Sequence, residues 1–129
     1  TSVAGLIGKI LPTMEHKMAA VAMNVPIPDG SISDLTFELE EGATEKRVNS
    51  LVLSAAGSEA YADVLSYVDR PIVSSDVIGN PHSCIYDALS TRVLNDKLLK
   101  TLCWFDNGWG FASRVVDLIA ITQEMETAQ

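Results

Sequence analysis

Positive charge is scarce in this sequence, which has 9 Lys and Arg residues against 17 Asp and Glu residues and a net charge of −8. A protein that binds nucleic acid or an anionic membrane needs a positive surface to neutralise phosphate groups. We therefore expect neither partner. The sequence also has no apolar run of about 18 residues, the length that a membrane-spanning helix requires. Its first residues lack the pattern of a secretion signal, so we expect none.

Cysteine and histidine are equally scarce, with 2 residues of each type. Cys84 and Cys103 lie far apart in apolar stretches, which predicts small buried residues with free thiols in a reducing, cytoplasmic compartment. His16 and His82 match no zinc-ligand spacing with these cysteines, so we expect no metal site. His82 and Cys84 are two residues apart, so a strand would place both on one face as a base and a nucleophile. A turn-bound His82 is the simpler alternative.

What the chain does contain is apolar residues, since 47% of its 129 residues are hydrophobic and 20% are charged. This composition predicts a packed core rather than disorder. The length corresponds to one folded domain, and we assign residues 1–129 to it.

Hydrophobic periodicity divides the chain into helical and strand-like segments. Helices are predicted at residues 3–11, between an N-cap at Thr44 and a stop at Gly57, and at residues 109–125. Strands are predicted at residues 18–25, 31–39, 71–77, 83–87, 91–94 and 97–105. Because this order does not alternate, we expect an α+β fold with a mixed, mostly antiparallel sheet and helices packed on one face. The other face is then free for self-association.

Asp106, Asn107 and Gly108 lie between the last predicted strand and the last predicted helix. These residue types are typical of turns, because Asn, Asp and Gly tolerate left-handed backbone conformations. A strand-to-helix junction is also a common place for polar groups that contact a cofactor. Composition leaves both interpretations open.

Four stretches of the chain resemble one enzyme family. WFDNGWGFASRVVDL (residues 104–118) is similar to the family's WYDNEWGYSNRVVDL, and VPIPDGSISDLT (25–36) to VPTPNVSVVDLT. VSSDVIGNPHSCIYDA (73–88) resembles VSSDFVGDTHSSIFDA, and TSVAGLIGKILP (1–12) resembles STGAAKAVGKVLP. The family is the phosphorylating, NAD-dependent glyceraldehyde-3-phosphate dehydrogenases, and the resemblance is to the later part of their catalytic domain.

The resemblance implies a glycolytic oxidoreductase family that converts an aldehyde to an acyl phosphate with NAD. The family's cysteine motif, SCTTNC, and its glycine-rich NAD-binding domain have no counterpart in these 129 residues. We therefore assign no catalytic residue and no cofactor to this chain, and expect a module that is not catalytic on its own and forms a homo-oligomer. The alternative is a fragment of a complete enzyme, with an NAD-binding half as its missing partner.

The resemblance also assigns individual site residues. Thr1 and Ser2 align with a Thr-Gly pair that binds inorganic phosphate. Asn24 replaces an arginine that holds the substrate phosphate, and a neutral amide is a much weaker phosphate ligand than a bidentate guanidinium group. Asn107 matches an asparagine that hydrogen-bonds the nicotinamide amide, and Phe111 replaces a tyrosine near the nicotinamide ring.

Overall fold

A computed structural model describes residues 3–127 of the chain. Its three α-helices and four strands follow one another in the order α1 (Val3–Ile10), β1 (Ser31–Glu38), α2 (Glu45–Ala56), β2 (Leu65–Val68), β3 (Cys84–Leu94), β4 (Leu98–Phe105) and α3 (Asn107–Thr127). Short 3-10 helices lie at Pro12–Met14 and Ser74–Val77. The three predicted helices are all present.

The four strands form one mixed sheet in the order β1-β4-β3-β2. β4 pairs antiparallel with β1 and with β3, whereas β2 pairs parallel with β3. The turn between β3 and β4 contains Asn95 and Asp96, both with positive φ, and these residue types tolerate the left-handed conformation of a tight hairpin. The predicted α+β fold with a mixed, mostly antiparallel sheet is confirmed.

The register divides the side chains of the sheet between two faces, because directly paired residues point to the same side and neighbours alternate. The α2 face carries Tyr86 and its partner Cys103. The opposite face carries Ile85 and its partner Trp104, which in turn pairs with Ile32 of β1. The buried hydrophobic residues lie mainly on the central strands and are Val77, Ile85, Tyr86, Ala88 and Leu99.

Helix α2 is docked on the sheet by a polar network around Asn49. Its side-chain amide donates to the Ala88 carbonyl oxygen at 3.1 Å, and its Oδ1 accepts from the Tyr86 hydroxyl at 3.0 Å. The Tyr86 hydroxyl also lies 2.6 Å from Oγ1 of the fully buried Thr91. At the start of the helix, the Thr44 hydroxyl oxygen accepts from the Arg47 amide, which confirms the predicted N-cap.

Two of the predicted strands are wrong. Residues 18–25 have no regular secondary structure, and Val21 and Met23 are 87% and 86% exposed. A strand needs a neighbour for its N–H and C=O groups, and no strand lies beside this segment within residues 3–127. The segment 71–77 instead contains the 3-10 helix Ser74–Val77, because the Asp76 carboxylate accepts from the Val73 amide at 2.8 Å and turns the chain.

The predicted strands 83–87 and 91–94 are one continuous strand, β3, with an irregularity between Asp87 and Arg92. The Asp87 carboxylate stabilises this irregularity by accepting from the amides of Leu89 and Ser90 at 3.1 and 3.2 Å. The polar residues that suggested a break between two strands are therefore the ones that satisfy a bulge within one strand.

Helix α3 is held at its N-terminal part. The Arg114 guanidinium group donates to the Asp63 carbonyl oxygen at 2.9 Å and to the Ser83 hydroxyl at 3.1 Å, and it pairs with Asp117 at 2.7 Å. Many apolar side chains of the helix are exposed, namely Trp109, Phe111, Val115, Val116, Leu118, Ile119, Ile121 and Met125. This helix therefore presents a large apolar surface.

We predict that Tyr86→Phe lowers the free energy of unfolding by about 1–3 kcal/mol, because it removes the hydrogen-bond partner of the buried Thr91 hydroxyl and of the partly buried Asn49 Oδ1. Urea unfolding measures the change. Tyr67→Phe is the matched control, since the Tyr67 ring stacks on Tyr86 at 6.0 Å and its hydroxyl makes no hydrogen bond among residues 3–127. Equal losses in both variants would contradict the role of the hydroxyl network.

Candidate functional site

The junction between β4 and α3 is organised by one buried carboxylate. Asp106 is 5% exposed and directly precedes the helix. Its Oδ1 accepts from the amides of Gly108 and Trp109 at 3.0 and 2.8 Å, and its Oδ2 accepts from the Gly79 amide at 2.8 Å. Asp106 thus caps the helix and joins it to the loop before β3.

These hydrogen bonds lower the pKa of Asp106. The largest contribution comes from the Trp109 amide, followed by the Gly79 amide, and both outweigh the opposing effect of burial. The positive end of the helix dipole favours the same charged form. Asp106 is therefore a structural anion that holds the start of α3 in place, and it has no proton to exchange near neutral pH.

Close packing fixes the same junction from the other side. Gly110 is the buried residue of α3, and a Cβ atom at this position would lie 3.2 Å from the His82 carbonyl oxygen. A larger residue would push the helix away from the loop that contains His82. Gly110 and Asp106 together set the position of the first turn of the helix.

Asn107 and Phe111, the residues assigned to the cofactor, lie on this first turn. They are four residues apart in α3 and therefore share one face of the helix. Asn107 is exposed and Phe111 is 72% exposed. This surface offers an amide that can donate and accept hydrogen bonds and an aromatic ring that can pack on a flat ligand. It contains no group that could act as a nucleophile or a base.

The roles assigned to the phosphate residues stay predictions. Thr1 and Ser2 lie outside the described residues. Asn24 is exposed within the irregular segment that was predicted as a strand. The structure places the two residues assigned to the cofactor on one helix turn, and their role also stays a prediction.

Neither histidine contacts a cysteine within residues 3–127. His82 is bound in its turn, where Nδ1 lies 2.8 Å from Oδ1 of Asn80 and the backbone amide donates to the same oxygen at 3.0 Å. No contact in this range joins His82 to Cys84, so the turn-bound alternative is the better one. His16 is exposed beside Glu15. In the described residues, no group of three or more His, Cys, Asp or Glu side chains could hold a metal ion.

Sequence reasoning missed the roles of Asp106 and Gly110. It treated Asp106 as part of a turn, although an Asp directly before a predicted helix is a recognised N-cap signal. The bond from Asp106 to Gly79 could not be foreseen, because it joins residues that are distant in the sequence. Gly110 has no separate sequence signal, since a glycine in a helix shows its purpose only when its packing neighbour is known.

Comparison with known proteins identifies the family. A family model described as the glyceraldehyde 3-phosphate dehydrogenase C-terminal domain matches residues 1–107. The glyceraldehyde-3-phosphate dehydrogenase of Mycolicibacterium smegmatis is 42% identical over 121 residues, which cover 94% of this chain and 35% of the relative. Glyceraldehyde-3-phosphate dehydrogenase 2 of Mucor circinelloides is 37% identical over 128 residues, which cover 99% of this chain and 38% of the relative.

The mixed sheet and its capped terminal helix are those of a dehydrogenase C-terminal domain. The chain belongs to the glyceraldehyde-3-phosphate dehydrogenase C-terminal domain family. It spans about a third of the length of the curated relatives that it matches. None of the described helices is long and apolar enough to cross a membrane.

We predict that Asp106→Asn destabilises the chain at neutral pH and that this difference shrinks on acidification. The native carboxyl has a pKa below its usual value of 3.8. Its charge therefore contributes stability above that value, and the contribution is lost as the pH falls through the lower native pKa. Thermal unfolding of both proteins across the acid range measures the difference.

Asp69→Asn is the control for this experiment, because Asp69 is exposed and its loss also removes one negative charge. The control should change stability little at any pH. A destabilisation by Asp106→Asn that is independent of pH would show that the anion itself is unimportant.

Proposed function

We propose that this chain acts as the C-terminal module of a phosphorylating, NAD-dependent glyceraldehyde-3-phosphate dehydrogenase, and that it has no turnover on its own. The observation that carries this proposal is the exposed pair Asn107 and Phe111 on a helix turn that Asp106 and Gly110 hold in place. The pair fits a nicotinamide group, since Asn107 can hydrogen-bond its amide and Phe111 can pack near its ring. NAD would supply the hydride acceptor, and this chain would supply only contacts to it.

Catalysis of acyl transfer needs a nucleophile beside a base, and the described residues offer no such pair. His82 hydrogen-bonds to Asn80 rather than to a thiol, and Cys84 hydrogen-bonds to Cys103 rather than to a base. In the proposal, the nucleophile, the base and the NAD-binding domain lie outside these 129 residues. The large apolar surface of α3 is a suitable contact for that missing half.

The proposed setting is the cytoplasm. Both cysteines are free, which is the usual state of thiols in a reducing compartment. A glycolytic role within an oxidoreductase is consistent with this setting and remains part of the proposal.

The test uses the isolated chain and a hybrid in which it replaces the matching C-terminal region of the Mycolicibacterium smegmatis relative. We expect no aldehyde-dependent NADH formation by the isolated chain, and NADH formation with a high KM for the aldehyde phosphate by the hybrid. Asn24→Arg in the hybrid should lower this KM about tenfold or more, because a charge-assisted hydrogen bond contributes about 1.5–3 kcal/mol and 1.4 kcal/mol is a factor of ten.

Asn24→Gln is the matched control, since it lengthens the side chain without adding charge, and it should leave the KM unchanged. NADH formation by the purified 129-residue chain would overturn the module proposal. A hybrid that assembles but has no activity would favour a purely structural module, the alternative from a different functional class.

We also propose that the chain self-associates through the face of the sheet opposite α2. On this face, Ile32 is 44% exposed, and Leu102 and Trp104 beside it are partly exposed. The ion pair between Lys100 and Asp34 lies next to this apolar patch at 2.5 Å. An apolar patch with a polar rim is typical of an interface between identical subunits.

We predict that Ile32→Lys converts the associated species to monomer, because it buries a charge in the proposed interface without a partner. Light scattering coupled to size exclusion at micromolar concentration measures the mass. Leu51→Lys is the control, since Leu51 is an exposed apolar residue of α2, away from this face. A wild-type chain that is strictly monomeric would contradict the proposal.

A further inference from the structure

Cys84 and Cys103 are neighbours in the sheet, although they lie far apart in the sequence. Cys103 pairs directly with Tyr86, and Cys84 precedes Tyr86 by two residues in β3. Because side chains alternate along a strand, all three point to the α2 face, and the two cysteines form a diagonal pair across β3 and β4. The expectation that both cysteines are buried is wrong, because each is partly exposed, whereas the expectation of free thiols agrees with the structure.

The two thiols interact and are accessible. Each is only partly buried. Their mutual hydrogen bond lowers the pKa of Cys84, because the Cys103 thiol stabilises the Cys84 thiolate. The same hydrogen bond, together with burial, raises the pKa of Cys103. The two sulfurs therefore lie within hydrogen-bonding distance of each other, in a pair that faces the same side of the sheet.

The diagonal register determines whether the two cysteines are better placed to form a disulfide or to bind a metal ion. Diagonal cross-strand residues lie about 7–8 Å apart, whereas a disulfide joins Cα atoms that are usually about 4.4–6.8 Å apart. Both strands are central in the sheet and paired on both sides, so drawing the two Cα atoms together would strain backbone hydrogen bonds on either side. A disulfide is therefore disfavoured. An ion between the sulfurs avoids this problem, because two metal–sulfur bonds of about 2.3 Å widen the bridge.

The number of protein ligands available at this pair indicates which metal ion could bind there. Zinc in a structural site takes four ligands, and within residues 3–127 no third His, Cys, Asp or Glu joins a metal-binding group. The polar neighbour of Cys103 across the sheet is Ser33, and Cys84 faces Leu65. Thiolates are soft ligands that select soft ions such as Cu(I), and Cu(I) is satisfied by two sulfur ligands in line.

We propose that Cys84 and Cys103 form a two-thiolate binding site for a soft monovalent metal ion, Cu(I). Binding replaces the two S–H bonds with two Cu–S bonds and releases two protons to solvent, with no change of oxidation state. The site is separate from the surface formed by Asn107 and Phe111, and the proposal does not rest on the proposed dehydrogenase role. It uses a pair of side chains that this role leaves without a function.

The test is an anaerobic titration of the reduced chain with Cu(I) against a chromogenic Cu(I) chelator. We expect one ion per chain in the wild type, and loss of this binding in both Cys84→Ser and Cys103→Ser. Ser33→Ala is the control, because Ser33 lies opposite Cys103 and its loss leaves both thiols in place. Binding that persists in either cysteine variant would overturn the proposal, since the exposed methionine sulfurs would then be the ligands.

A second measurement uses the wild-type chain alone and so does not depend on the folding of a variant. Cu(I) should protect both Cys84 and Cys103 from alkylation, as read at each site by peptide mass spectrometry. Alkylation of either cysteine in the presence of one equivalent would count against the site. Treatment with a mild hydroperoxide should give no intramolecular disulfide, and a clean loss of two hydrogens per monomer would show that the geometric argument fails.

Discussion

The antiparallel pairing of β3 with β4 is the constraint on which the rest of the structure depends. Its register sets Tyr86 opposite Cys103 and Ile85 opposite Trp104, and so decides which side chains reach α2 and which lie on the opposite face. Because β4 ends at Phe105, the same pairing delivers Asp106 to the loop that contains Gly79. A shift by one residue would exchange the two faces and separate every one of these contacts.

The candidate functional residues lie where β4 ends and α3 begins. A buried carboxylate with three backbone donors converts the end of a strand into the start of a helix whose outer face is free. Asn107 and Phe111 are placed on that face by backbone geometry, and they need no conformational change to become accessible. In the proposed role this surface supplies contacts to a cofactor, and the groups that oxidise the aldehyde lie outside these 129 residues.

Much of the fold follows from local sequence pattern. The alternation in residues 31–39 predicts β1, and Thr44 and Gly57 bound α2 within a residue, because caps and periodicity are local properties. The segment 18–25 has an equally strong apolar pattern and forms no strand, because a strand depends on a partner that the local pattern does not describe. The same reason explains Asp87, whose polar neighbourhood suggested a break and instead stabilises a bulge.

The sequence by itself determined the α+β class and the family, since both follow from short contiguous patterns, and it suggested the cofactor role that we propose for Asn107 and Phe111. Only the tertiary structure decided that the Asp106 carboxylate accepts a hydrogen bond from the Gly79 amide and that Cys84 contacts Cys103. Both are contacts between residues far apart along the chain. They arise from the register of paired strands, and this register is a property of the whole sheet rather than of any one segment.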